Sequence, residues 1–122
     1  MTPESKLKAQ VELYLSESQQ NYIPLRMQVG TFFRKGTPTY INGERYYKDS
    51  ELFPVKTGLP KGTSDLLAIQ PVTGRAVWIE TKVHPRKPTA EQLNFIEVMR
   101  KQGAIAGVVY SIDELKELLN KY

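Results

Sequence analysis

The chain has 122 residues, of which 40% are hydrophobic and 25% are charged, a composition typical of a globular protein and not of a disordered or fibrous one. It has no cysteine, which excludes disulfides and thiolate metal sites. The first residues are polar, and no apolar run approaches the roughly 20 residues of a membrane-spanning helix. We therefore expect a single domain over residues 1–122, cytoplasmic (in the host cell if the source is viral) and without membrane contact.

The net charge is +4 and the isoelectric point is near 9.3. Such a field attracts polyanions, nucleic acid among them. Charge of this size also serves solubility alone, so that it gives only a weak indication of a nucleic-acid partner.

The first predicted element is a helix that begins after Thr2. Thr2 can cap this helix, Pro3 suits its first position, and Glu4 suits the positive end of the helix dipole. Hydrophobic residues then recur at helical spacing, at Leu7, Val11, Tyr14 and Leu15. We expect the helix to fade over residues 18–21.

The next stretch contains a strand and a hairpin. Residues 25–33 alternate in polarity as a strand does. Asn42-Gly43 stands between two aromatic arms, at Tyr40 and at Tyr46-Tyr47, which is a strong hairpin signal. Residues 48–64 carry proline and glycine without periodicity, and we predict a loop there.

Two strands follow the loop. Asp65 precedes an apolar run over residues 66–69, which ends at Pro71 and a turn at Thr73-Gly74. Residues 75–83 then have the pattern of a central strand, and the stretch from His84 to Pro88 breaks it.

The remaining chain predicts a helix, a buried strand and a last helix. The first helix begins at a capping box of residues 89–92 and ends at Gly103, with an inner face formed by Leu93, Phe95, Ile96 and Met99. Residues 104–110 are a buried strand, and a second capping box at 111–114 begins a helix that turns inward Leu115, Leu118 and Leu119. A helical crossover between two strands implies a parallel pair. The predicted fold is therefore α/β, with a mixed central sheet flanked by helices.

Glu80 and Lys82 form the first chemical feature. They are two residues apart on the central strand, so that both side chains point to one face, roughly 7 Å apart, together with Trp78. Burying an acid and a base in this way is costly unless they pair or function. A salt bridge between them is the alternative to a functional role.

Asp65 adds a second carboxylate. A hairpin centred between residues 72 and 73 places Asp65 opposite Glu80. Two carboxylates at one point make an oxygen-rich site for Mg²⁺ or Mn²⁺. Such an ion can polarise a phosphodiester, and Lys82 can orient water or stabilise the charge that develops.

Four motifs together resemble those of the VRR-NUC family of PD-(D/E)xK nucleases: Lys61-Gly62-Thr63-Ser64-Asp65, Trp78-Ile79-Glu80-Thr81-Lys82, Thr89-Ala90-Glu91-Gln92 and Gly103. The chain looks like a stand-alone, phage-type member. The resemblance covers about residues 4–111, with residues 36–57 as a variable insertion. Ser64 departs from the superfamily pattern, which has proline before the aspartate.

The resemblance implies a restriction-endonuclease-like core and metal-dependent hydrolysis of DNA, with Mg²⁺ or Mn²⁺ as cofactor. It makes Asp65 and Glu80 metal ligands, adds the backbone carbonyl of Thr81 to them, and makes Lys82 the catalytic lysine. It also implies a homodimer that acts on branched DNA, including four-way junctions.

Two further residues match the family pattern but have simpler explanations. Glu4 lies on the inner face of the first helix and could be a metal ligand, or it could only stabilise the helix end. Gln92 could contact the site or a phosphate, although the capping box alone explains it.

Surface residues complete the predicted site. Four basic residues are candidates for contacts to DNA phosphates, and each could equally be only solvated: Lys35, Lys61, Arg86 and Lys87. The tyrosine hairpin could stack on DNA, contact a second subunit or pack in the core. His84, the single histidine, is expected to be a surface residue, which argues against a histidine-based zinc site.

Two other functions remain open. The chain could be a nucleic-acid-binding module with an inactive site, or a structural subunit that uses its tyrosine hairpin for protein contacts. The presence of Asp65, Glu80 and Lys82 together favours the enzyme over the first. The second leaves the charged pair on a central strand unexplained.

Overall fold

The structure, a computed structural model, describes residues 2–17, 20–27, 31–35, 38–46, 52–56 and 59–122. Its elements in chain order are α1 (Pro3–Ser16), β1 (Ile23–Arg26), β2 (Thr31–Lys35), β3 (Thr39–Ile41), β4 (Glu44–Tyr46), β5 (Leu52–Lys56), β6 (Leu66–Ile69), β7 (Ala76–Thr81), α2 (Ala90–Lys101), β8 (Ile105–Val109) and α3 (Ile112–Asn120).

The described chain forms two compact units, one of Met1–Met27 with Lys61–Tyr122 and one of Gln28–Pro60. That residues 1–122 act as a single domain stays a prediction. No helix in the described ranges is both long enough and apolar enough to cross a membrane.

The larger unit is built on a four-stranded sheet in the order β1-β6-β7-β8. β1 pairs with β6, and β6 with β7, in antiparallel fashion, whereas β7 and β8 are parallel and are joined through α2. The predicted mixed α/β fold is thus confirmed, including the parallel pair that the helical crossover implied.

One face of this sheet carries the hydrophobic core. Leu66, Ala68, Val77 and Ile79 are fully buried there, and α1 and α3 contribute further buried residues, among them Leu7, Val11, Leu15, Leu115, Leu118 and Leu119. The predicted inner faces of both helices are therefore confirmed. The N-cap is confirmed as well, because the Thr2 hydroxyl accepts a hydrogen bond from the Ser5 amide.

The register of the central hairpin places the two acids together. Leu66 pairs with Ile79, and Ile69 pairs with Ala76. Continuing that ladder by one residue sets Asp65 beside Glu80, as the predicted turn requires. The turn itself closes through the Gly74 amide, which donates to the Gln70 carbonyl at 3.0 Å.

α2 begins at the predicted capping box and packs on the other face of the sheet. The edge of the Phe95 ring meets Trp78, with ring centroids 5.0 Å apart. Ile96 is the buried residue of this helix. Leu93, predicted to face inward, is 52% exposed, so that this prediction is wrong. Leu93 lies in the first turn, whereas α2 is buried one turn later, at Ile96.

The smaller unit contains the β2–β5 pair and the β3–β4 hairpin, both antiparallel. The hairpin prediction is confirmed. Asn42 and Gly43 both have positive φ, 50° and 79°, as a two-residue type I′ turn requires. Tyr40 is 65% and Tyr46 48% exposed, which rules against core packing for these two. Tyr47 lies outside the described residues.

Two strand predictions require correction. Residues 25–33 do not form one strand: the stretch contributes to β1, which pairs with β6, and to β2, which pairs with β5, while residues 28–30 lie outside the description. The predicted loop over 48–64 contains β5. The loop was predicted because Pro54 weakens the strand pattern. A strand with a free edge nevertheless accommodates a proline.

Candidate active site

Asp65 and Glu80 meet at the end of the central hairpin, where β6 begins and β7 ends. The Asp65 amide donates to Glu80 Oε2 at 3.2 Å. The side chains of both residues are largely buried, with 16% and 4% exposed. Two carboxylates are therefore held close together in a region with little access to water.

The Asp65 carboxylate is oriented by β7 and by α1. Its Oδ2 accepts from the Thr81 hydroxyl at 2.8 Å, and its Oδ1 accepts from the Thr81 amide at 3.3 Å. Lys8 Nζ lies 3.4 Å from Oδ2. Burial nevertheless raises the pKa of Asp65 above its ordinary value, against the opposing effects of Thr81 and Lys8.

The Glu80 carboxylate is held from α2 and from its own strand. Gln92 Nε2 donates to Oε1 at 2.9 Å, and Lys82 Nζ lies 3.4 Å from the same oxygen. Burial, and after it repulsion by Asp65, raise the pKa of Glu80 to about 7, against the opposing effect of Lys82. The site thus favours any added positive charge.

Gln92 makes two hydrogen bonds, one in the helix cap and one to Glu80, while its part in catalysis stays a prediction. Its amide oxygen accepts from the Thr89 amide at 2.8 Å, which completes the capping box, while its amide nitrogen reaches Glu80. The helix cap and the orientation of Glu80 are therefore coupled through one side chain.

Lys8 is a site residue that the sequence analysis missed. It lies one turn after Glu4 on α1 and next to the buried stripe that includes Leu7. That proximity was a usable signal. The family pattern has a carboxylate on this helix, which points to Glu4 and not to Lys8.

Glu4, by contrast, pairs with a different partner. Its Oε2 lies 3.6 Å from Arg86 Nη1. Among the described residues, no three acidic or histidine side chains converge as a metal-binding group, so that Glu4 does not join Asp65 and Glu80. Its role as a metal ligand stays a prediction.

The other basic candidates lie around the site or outside the description. Lys61 Nζ lies 3.5 Å from Glu91 Oε1 on α2. Arg86 and Lys87 are exposed, on the chain that follows β7. The side chain of Lys35 is outside the described part of the structure.

The motif around Asp65 has a backbone reason for its glycine. Gly62 has φ of 92°, and a Cβ at this position would collide with the backbone carbonyl of Glu91 in the first turn of α2. Next to Asp65, the Ser64 hydroxyl is buried and has no hydrogen-bond partner among the described atoms. The glycine thus lets the chain that carries Asp65 approach the helix that carries Gln92.

Comparison with known proteins bears on the fold. No family model matches the sequence, and no curated protein does. A solved structure labelled "VRR_NUC domain" is similar over 100% of this chain and 99% of its own, with 21% sequence identity and a TM-score of 0.62. The resemblance drawn from the motifs is thereby confirmed at the level of architecture: the chain has the fold of a VRR_NUC domain.

Proposed function

We propose that the chain is a VRR-NUC nuclease, an Mg²⁺- or Mn²⁺-dependent endonuclease that hydrolyses phosphodiester bonds of DNA. The observation that carries this proposal is the buried pair of carboxylates, Asp65 and Glu80, with Lys82 beside them. An acidic pair with raised pKa values and a neighbouring cation is a frequent mark of a catalytic site.

The residues of the site fit a hard divalent cation. Asp65 and Glu80 offer oxygen ligands, which Mg²⁺ and Mn²⁺ prefer, and the Thr81 carbonyl is the third candidate. A cation would also relieve the repulsion that raises the pKa of Glu80. When bound, such an ion supplies Lewis-acid polarisation of a phosphate group.

The side chains of the chain divide the remaining work. Lys82 provides an ammonium group that can stabilise the negative charge developing on the phosphate. Its ion pair with Glu80 positions this group. Thr81 fixes the Asp65 carboxylate, and Gln92 fixes the Glu80 carboxylate. The acids are therefore oriented before substrate arrives, which lowers the cost of reorganisation during the reaction.

The proposed substrate is DNA, bound through contacts to its phosphates from Lys35, Lys61, Arg86 and Lys87. Backbone neutralisation by such residues provides most of the affinity of non-specific DNA binding. A homodimer and a preference for branched DNA, four-way junctions included, belong to the same proposal and rest on the family resemblance.

The test is cleavage of labelled duplex, single-stranded, flap and four-way-junction DNA in Mg²⁺, Mn²⁺ or EDTA. We expect metal-dependent cutting that Lys82→Ala and Glu80→Ala abolish, because each removes a group from the site. Lys121→Ala, which changes an exposed lysine near the C-terminus, is the control and should cut normally. Unchanged cutting by Lys82→Ala would contradict the mechanism.

One observation favours a second function, a nucleic-acid-binding module without activity. Among the described residues, no third acidic side chain joins Asp65 and Glu80. If the cation is held too weakly by two carboxylates, the domain binds DNA and does not cut it. Binding without cutting in any metal would support this alternative.

A further inference from the structure

A cleft opens beside the candidate active site, on the chain that directly follows Lys82. Its volume is about 330 Å³. It is lined by the start of α1 and by the segment after β7, through Thr2, Pro3, Glu4, Val83, His84, Pro85 and Arg86. Two residues of chain span at most about 7 Å, so that His84 and the cleft adjoin Lys82.

His84 gives this cleft an aromatic wall. Its ring stacks on Tyr110, with centroids 4.2 Å apart and planes inclined by 16°. Tyr110 covers one face of the imidazole, and His84 is exposed and lines the cleft, so that the opposite face is the candidate stacking surface for a flat ligand. Tyr110 is itself fixed, since its hydroxyl donates to the Arg86 carbonyl at 2.8 Å.

The charged groups of the cleft favour a ligand that combines an anion with hydrogen-bonding edges. Arg86 has 75% of its side chain exposed, so that it can contact a phosphate, and its Nη1 lies 3.6 Å from Glu4 Oε2. The Glu4 carboxylate accepts hydrogen bonds and suits the amino group of a base. The apolar lining from Pro3, Val83 and Pro85 suits the flat faces of a ring.

We propose that this cleft binds an unpaired nucleobase of the DNA strand, stacked on His84, with Arg86 directed to its phosphate. A base inside a duplex has both faces covered by its neighbours, so that only an unpaired one can enter. The proposal rests on the proposed function, because it takes DNA as the substrate. It extends that function by naming unpaired nucleotides beside the cleavage point as the feature that is recognised.

The test measures binding in EDTA, so that cutting plays no part. A single-stranded oligonucleotide that carries 2-aminopurine, whose fluorescence is quenched by stacking, is titrated with wild-type protein, His84→Ala and His84→Phe. Removing a stacking contact to one base weakens binding by about 5-fold or more. We expect that loss, together with loss of quenching, for His84→Ala, recovery of both for His84→Phe, and no change in the affinity for fully paired duplex.

The outcomes separate this inference from the nuclease proposal. Equal binding and quenching by wild type and His84→Ala would overturn the inference, even if the protein cuts DNA. An equal loss on duplex and on single strands would overturn it too, because His84 would then act without selecting unpaired bases. If the protein shows the expected binding pattern but does not cut DNA in any metal, the inference would be supported and the nuclease proposal contradicted. Absence of DNA binding by the wild type would overturn both.

Discussion

Replacing Glu80 by glutamine should stabilise the metal-free protein at neutral and alkaline pH. Glutamine keeps an oxygen that can accept from Gln92, and it removes the buried negative charge. The effect should depend on pH, because the wild-type carboxyl is already neutral in acid.

The size and sign follow from the pKa. Burial and repulsion by Asp65 raise the pKa of Glu80 from 4.5 to about 7 in the folded protein. Between these values the folded protein binds a proton more tightly than the unfolded chain, so that the free energy of unfolding falls as pH rises. At 1.36 kcal/mol per pKa unit, the upper limit of this loss is about 3 kcal/mol. The stabilisation is fully present below the unfolded pKa and is lost by the time the pH exceeds the folded one.

Urea unfolding in EDTA at pH 5, 6, 7 and 8 measures this effect, with the fluorescence of Trp78 as the probe. Trp78 is the single tryptophan and lies on β7, two residues before Glu80. Other carboxyl groups titrate in both proteins, so that the difference between Glu80→Gln and wild type isolates Glu80. We expect this difference to grow from pH 5 to pH 8. A difference that stays constant over this range would refute the reasoning.

Two further predictions concern the surroundings of the acidic pair. Lys8→Met should lower the stability of the metal-free protein and raise its affinity for Mn²⁺ by about 2- to 5-fold, because the lysine ammonium competes with the cation for Asp65. Calorimetric titration measures the Mn²⁺ affinity, with Lys6→Met as the exposed control. Equal affinities of Lys8→Met and wild type would contradict the competition. Gly62→Ala should lower the free energy of unfolding by more than the roughly 1–2 kcal/mol of left-handed backbone strain, since its Cβ also collides with α2. Gly74→Ala is the control in urea unfolding and should show the strain alone, because Gly74 has φ of 68° and open space around it. Equal losses of stability in the two variants would exclude the collision.

The parts of the fold that the sequence predicted correctly depend on local chemistry. The caps at Thr2 and Thr89 and the turn at Asn42-Gly43 are set by residues within a few positions of each other. The pairing of β6 with β7 follows from one tight turn, which is why the position of Asp65 opposite Glu80 could be worked out in advance.

The parts that the sequence did not predict depend on distant partners. β5 is a strand because β2 lies beside it, and nothing within residues 52–56 specifies that partner. The same holds for long charged side chains. Helical periodicity places Glu4 and Lys8 near one face of α1, but it does not decide which of them reaches the site. In the structure Lys8 reaches Asp65, and Glu4 reaches Arg86.

The charges of the site suggest why a cation would be needed for cutting and not for folding. Asp65 and Glu80 are matched by Lys8 and Lys82, so that the metal-free cluster is close to neutral and can be buried at moderate cost. A neutral cluster attracts a phosphate only weakly. A bound divalent cation would give the cluster a net positive charge and would also relieve the repulsion between the two acids. The cleft beside Lys82 has its own cation in Arg86 and its own stacking surface in His84. If both proposals hold, recognition of the strand would not require the metal, whereas cleavage would.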